Sequence, residues 1–153
     1  MDPNRKPRVL VVYYSRTGNT AEVAEGLARA SEADVESIKV SQPHGGVLGY
    51  LRSGYEAMFE QEAAILEPTR NPDDYDIVLI GSPTWNSVLS SPVRAYLRRF
   101  AGSFPDLGFF VTSGGGEVQR VMAQMSELSG KQPLAVLDLR ERDLKGRFAV
   151  YLG

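Results

Sequence analysis

The chain has 153 residues, 42% of them hydrophobic and 24% charged, which suits one globular domain over residues 1–153 and excludes wholesale disorder. Its 17 basic and 19 acidic residues leave a net charge of −2, against a nucleic-acid binder or a polybasic membrane anchor. With no Cys and one His, disulfide frameworks, thiolate metal sites, iron–sulfur clusters and a Cys nucleophile are excluded, so hard chemistry must come from a borrowed cofactor.

Arg8-Val-Leu-Val-Val-Tyr-Tyr14 is a continuous apolar run with β-branched and aromatic residues, the pattern of a strand buried on both faces of a parallel sheet. Ser15 to Thr20 is a polar turn. A helix to about Ala30 follows, with Val23 and Leu27 four apart and Ala24 and Ala28 on the same stripe. Val35, Ile38 and Val40 mark a second strand within Ala33–Val40, and Ser41 to Gly46 is a loop. Leu48, Leu51, Tyr55, Met58 and Phe59 fall at helical spacing, although Gly49 and Gly54 each weaken a helix there by about 1 kcal/mol.

Asp76 to Ile80 is the third strand. Ser91-Pro92 reads as a helix start, with Ser as N-cap and Pro at the first helical position. Val93, Tyr96, Leu97 and Phe100 then mark one face. Leu107 to Thr112 is the fourth strand. Val118, Val121, Met122, Met125 and Leu128 recur at offsets of 3, 4, 7 and 10, a helical stripe, and Leu134 to Leu139 is the last strand.

Strands alternating with helices give an α/β fold: a doubly wound, five-stranded parallel sheet in the order 2-1-3-4-5. Only Arg140 to Gly153 remains for a covering helix, so the final helix is expected to be short or absent. Phe148, Val150 and Leu152 alternate as in a short strand, and the face left open is to be met by this tail or by a second copy, a homodimer. No apolar run approaches the ~20 residues of a membrane span, and Met1 to Lys6 lacks the apolar stretch of a signal peptide, so no membrane partner and a cytoplasmic location are expected.

Three loops carry the chemistry: Ser15-Arg16-Thr17-Gly18-Asn19-Thr20 after the first strand, Gly81-Ser82-Pro83-Thr84-Trp85-Asn86-Ser87 after the third, and Thr112-Ser113-Gly114-Gly115-Gly116 after the fourth. The order 2-1-3-4-5 makes these strands neighbours, and ligands bind at their carboxyl ends where the order reverses. The first loop is rich in hydroxyls and opens a helix whose free N–H groups suit a phosphate, and equally suits an ordinary turn and N-cap. It is neither a nucleotide P-loop nor a Gly-x-Gly-x-x-Gly turn. Trp85, the sole Trp, lies past the apolar strand among polar residues, as a platform for a flat ring would. Three consecutive glycines in the third loop leave the backbone open to close approach. His44 reads as an exposed turn residue, and Arg94, Arg98 and Arg99 as a solvated helix face.

Ser15-Arg16-Thr17-Gly18-Asn19-Thr20 resembles the flavodoxin phosphate loop, Thr/Ser-x-Thr/Ser-Gly-x-Thr. Ile77-Val-Leu-Ile-Gly-Ser-Pro-Thr-Trp-Asn86 is similar to the third strand and flavin loop of that family, and Phe110-Val-Thr-Ser-Gly-Gly resembles its second flavin loop. The resemblance implies flavin mononucleotide (FMN), with the phosphate on Ser15, Arg16, Thr17, Gly18, Asn19 and Thr20. The ring would lie between Ser82, Pro83, Thr84, Trp85 and Asn86 on one side and Ser113, Gly114, Gly115 and Gly116 on the other. Trp85 would stack on it, Asn86 would face flavin N5, and Gly114 to Gly116 would approach its pyrimidine edge. Family members carry single electrons, and a backbone turn after the stacking aromatic, at Gly in many of them, assists; Asn86 accepts positive φ less readily than Gly.

Two further departures matter. The third loop has no second-face aromatic, so Tyr50 or Tyr55 covers that face or it stays open. The chain is also less acidic than flavodoxins usually are, which weakens electrostatic docking to a reductase. Three roles are therefore weighed: an electron carrier working with a redox partner protein, which is favoured; an FMN-dependent NAD(P)H:quinone-type oxidoreductase, for which an open ring face would admit a second substrate; and a module without flavin.

Overall fold

A computed structural model describes residues 2–41, 64–85 and 87–140, the side chain of Trp85 excepted. Strand β1 (Val9–Tyr13) leads into helix α1 (Asn19–Ser31) and strand β2 (Asp34–Ser37). A short 3-10 turn (Pro72–Asp74) precedes β3 (Ile77–Trp85), which folds back through the two-residue strand β4 (Val88–Leu89). Helix α2 (Ser91–Arg99), β5 (Asp106–Ser113), helix α3 (Val118–Ser129) and β6 (Ala135–Arg140) complete the order.

The sheet runs β2-β1-β3-β5-β6, every neighbouring pair parallel, with β4 antiparallel on β3. With β4 set aside, the five parallel strands stand in the expected order 2-1-3-4-5. The apolar run of β1 is explained by its two faces. Leu10 and Val12 join a core with Val78, Ile80, Leu107, Phe109 and Val111, to which α2 adds Val93, Tyr96 and Leu97 and α3 adds Val121 and Met125. Val11 and Tyr13 point the other way, into a smaller core with Phe110 and with Val23, Ala24 and Ala28 of α1. A strand buried on both sides has no room for polar alternation.

Several expectations are corrected by this structure. The stretch from Gly81 to Trp85, expected as loop, continues β3. Its pairing with β5 persists through Pro83↔Thr112 and Thr84↔Ser113, and the chain turns only beyond Trp85, where Thr84↔Leu89 and Trp85↔Val88 close a hairpin. Pro83 is tolerated because β1 pairs last at Tyr13↔Gly81 and the β4 pairing reaches back only to Thr84↔Leu89, so on that side no described strand needs its missing N–H. The start of α2 shifts by one residue. Ser90, extended at φ −62° and ψ 139°, is the N-cap, and Ser91 is the first helical residue. The Ser90 hydroxyl makes no cap because it pairs at 2.7 Å with Ser82 Oγ.

The strand expected over Ala33–Val40 is shorter, with Val40 retained as an isolated bridge to Ile65. Beyond it, the expected helix around Leu48–Phe59, His44, Tyr50 and Tyr55 lie outside the described residues, as does the Phe148–Leu152 tail. Among the described residues β2 and β6 are the two sheet edges; on the β6 side Leu134, just before the strand, is 68% exposed and Val136 within it 57%. No helix among the described residues is long and apolar enough to cross a membrane.

Candidate functional site

The three loops singled out by sequence meet at the carboxyl edge of β1, β3 and β5. Parallel register brings the strand ends level: Tyr13 pairs with Gly81, Gly81 with Phe110, and Thr84 with Ser113. The Tyr14 N–H continues this beyond β1, donating to the Gly81 carbonyl at 3.3 Å.

In the first loop, the Gly18 N–H donates to Ser15 Oγ at 3.2 Å and closes the turn. Gly18, with φ +101°, is the N-cap of α1, a left-handed conformation that Gly adopts without the steric cost of a Cβ. Its carbonyl accepts from the Glu22 N–H at 3.0 Å, so the N–H groups of Asn19, Thr20 and Ala21 precede the first intrahelical bond and have no acceptor within the helix. Arg16, Thr17 and Gly18 are exposed, and Ser15 and Asn19 half-buried. Thr20 differs: it is 1% exposed and its hydroxyl lies 2.7 Å from that of Thr112 on β5. What Thr20 presents outward is backbone, and its side chain ties the first loop to the base of the third.

The second and third loops are tied as well. Ser87, at φ +63°, accepts the Glu117 N–H on its hydroxyl at 2.7 Å. Gly116 lies so close that a Cβ there would sit 2.7 Å from the Ser87 oxygen, and its φ is +100°. Ser82 is fully buried and bonded to Ser90, so its hydroxyl anchors β3 to α2 and is not offered at the site. Pro83 and Thr84 are half-buried, and Gly114, Gly115 and Gly116 exposed. Asn86 lies outside the described residues. Ser113 is fully buried, yet its hydroxyl has no hydrogen-bond partner, an unmet donor and acceptor at the mouth of the third loop.

Sequence reasoning placed Thr112 and Ser87 within these loops but assigned them no role. The signal for Thr112 is a lone hydroxyl closing an otherwise apolar run, Phe109-Phe110-Val111. Arg140 was missed outright: the register Ser113↔Arg140 sets it beside the third loop.

Elsewhere, a cavity of about 420 Å³ lies between β2 and the segment at Leu66–Thr69. Its buried carboxylate, Glu36, accepts from the Thr69 N–H at 2.6 Å, the Thr69 hydroxyl at 3.3 Å and the Arg70 N–H at 3.1 Å, a set that pins the segment to β2. Tyr96 borders the same cavity with its phenol held in the neutral form, first by burial and then by the negative charge of Glu36.

A family model described as flavodoxin matches residues 8–140. An NAD(P)H dehydrogenase (quinone) of Archaeoglobus fulgidus is 30% identical over 94 residues, covering 59% of this chain and 49% of the relative. The chain thus spans about half the length of the curated relatives it matches. Among solved structures, a candidate flavoprotein from Bacteroides eggerthii superposes with a TM-score of 0.71 at 25% identity, covering 94% of this chain and 97% of that one. A flavoprotein from Lactobacillus acidophilus in complex with FMN gives a TM-score of 0.67 at 21% identity, with 91% and 97% covered, a likeness of fold.

Proposed function

Because the chain belongs to the flavodoxin family, we propose that it binds FMN across its three loops and acts in electron transfer. The observation that carries this reading is the joining of all three loops at one sheet edge, through Thr20 to Thr112 and through Ser87 to Glu117, each at 2.7 Å. Bound FMN supplies one- and two-electron chemistry that no side chain of this chain supplies.

The residues present fit that group. The N–H groups of Asn19, Thr20 and Ala21 and the exposed hydroxyl of Thr17 form an uncharged cradle for a phosphate. Each hydrogen bond to a charged acceptor contributes about 1.5–3 kcal/mol, so a few of them hold a phosphate without a Lys. Gly114 to Gly116 carry no side chain to keep a ring away, and the orphaned Ser113 hydroxyl gains a partner if a polar ring edge reaches it. Trp85 is assigned the stacking role, Asn86 the position facing flavin N5, and Pro83 and Thr84 the approach beneath the ring. Ser82 contributes to the site only by fixing the strand on which these residues stand.

The favoured role is that of a carrier exchanging electrons with a redox partner protein. The second reading is an FMN-dependent NAD(P)H:quinone-type oxidoreductase, and the likeness to the NAD(P)H dehydrogenase (quinone) of Archaeoglobus fulgidus supports it. Stepwise anaerobic reduction of the FMN-loaded chain separates the two. Well-separated one-electron steps, with no turnover of reduced nicotinamide, support the carrier. A single two-electron step with quinone-dependent nicotinamide oxidation supports the oxidoreductase. A homodimer through the exposed residues of β6 remains part of the proposal, and a monomeric mass by light scattering contradicts it.

A further inference from the structure

We propose that Arg140 sets how readily the second electron enters the flavin, by holding a fixed positive charge against the Gly114–Gly116 loop. The inference rests on the FMN reading above.

Arg140 closes β6 and is paired in register with Ser113, the residue that opens the third loop. A Cβ placed on Gly115 would lie 4.0 Å from Arg140 Nη1, so the guanidinium stands beside the loop backbone at the carboxyl edge of the sheet. Arg5, Arg70 and Arg99 are each paired with a carboxylate, Arg5 with Asp76 at 2.8 Å, Arg70 with Asp34 at 3.2 Å and Arg99 with Glu67. Arg140 has no such partner among the described residues. Asp138, two positions back and on the same face of β6, forms no ion pair with it. The guanidinium brings a full positive charge to this edge.

The loop beside Arg140 is the one assigned to the pyrimidine edge of the ring. Adding one electron and one proton to FMN leaves the ring uncharged relative to its oxidised form. The second electron, supplied by a one-electron donor such as a redox partner protein or the mediator of an electrode, leaves one negative charge, and that charge gathers at the pyrimidine edge. A cation there therefore favours the second step over the first. Bringing the two steps together suits an exchange of electrons in pairs, so the same residue bears on the choice between carrier and oxidoreductase.

The test is spectroelectrochemical titration of the FMN-loaded wild type, Arg140→Gln and Arg140→Lys. Arg140→Gln is expected to shift the second-electron equilibrium at least tenfold against reduction, about 59 mV for one electron, while the first step moves by less. Arg140→Lys keeps the charge and is expected to hold the second step within about threefold of wild type, whether or not the Gln variant retains FMN. A second step unchanged in Arg140→Gln, equal shifts in both steps, or a tenfold shift in Arg140→Lys overturns the proposal. Failure of the wild-type chain to bind FMN in equilibrium dialysis overturns instead the cofactor reading on which it rests.

Discussion

The hydroxyl oxygens of Thr20 and Thr112 lie 2.7 Å apart with both residues buried, joining positions 92 apart in the chain. One belongs to the first turn of α1 and the other to the end of β5, so this contact fixes the helix N-terminus relative to the glycine loop. Thr20→Val and Thr112→Val each leave a buried hydroxyl unpaired, at a cost of about 1–3 kcal/mol. The double variant removes both groups and is expected to be less destabilised than the sum of the singles. A double-mutant cycle by urea denaturation reads the coupling; additive losses would mean that the bond contributes nothing.

Gly81 sits opposite Phe110 in the β3–β5 ladder, and a Cβ on Gly81 would fall 2.0 Å from the Phe110 ring. Gly81→Ala is therefore expected to destabilise by at least the ~1–3 kcal/mol typical of overpacking. Phe110→Leu introduced beside it should recover part of that loss. A denaturation midpoint for Gly81→Ala equal to wild type would contradict the packing.

If Trp85 carries the ring, Trp85→Ala weakens FMN binding at least tenfold, about 1.4 kcal/mol. Equilibrium dialysis reads this directly. Retained affinity would remove Trp85 from the site while leaving the phosphate loop intact.

Asp76, just before β3, accepts from the Arg8 N–H at 2.7 Å and from Arg5 Nη2 at 2.8 and 2.9 Å. The Arg8 N–H, followed by Arg5, holds its carboxyl below the usual carboxylate range. A folded-state pKa below the unfolded one stabilises the fold at pH values above the unfolded pKa, and the benefit is lost as pH falls through the folded pKa. Asp76→Asn should thus lower Tm at neutral pH, and the gap from wild type should close on acidification below about pH 4. FMN affinity should not change, because Asp76 precedes β3 and the site follows it. A pH-independent gap would contradict the assigned cause.

Much of this was legible in the sequence for a physical reason. A doubly buried strand has one signature, the unbroken apolar run, and both β1 and the core of β3 carry it. The limits were equally physical. Gly81 to Trp85 looks like loop by composition, yet the Phe110 ring fills the space a side chain at Gly81 would take, and the ladder to β5 carries the strand onward. Ser91-Pro92 has the residue types of a helix start, but the cap falls on Ser90, whose hydroxyl is taken by Ser82 across the sheet. Long-range pairings of this kind, like Thr20 with Thr112 or Arg140 with the third loop, leave no local periodicity to read. Thr17 and Gly18 could be proposed for a phosphate because that chemistry is local to one turn, whereas the inward role of the Thr20 hydroxyl depends on a strand 92 residues away.

The most direct test of the central claim compares FMN with riboflavin, which lacks the phosphate, by isothermal titration calorimetry on the wild-type chain. With at least two charged hydrogen bonds at the α1 N-terminus, FMN is expected to bind one-to-one and about 100-fold or more tighter than riboflavin. Equal affinities would contradict the phosphate site, and no binding of either would contradict the flavin reading altogether.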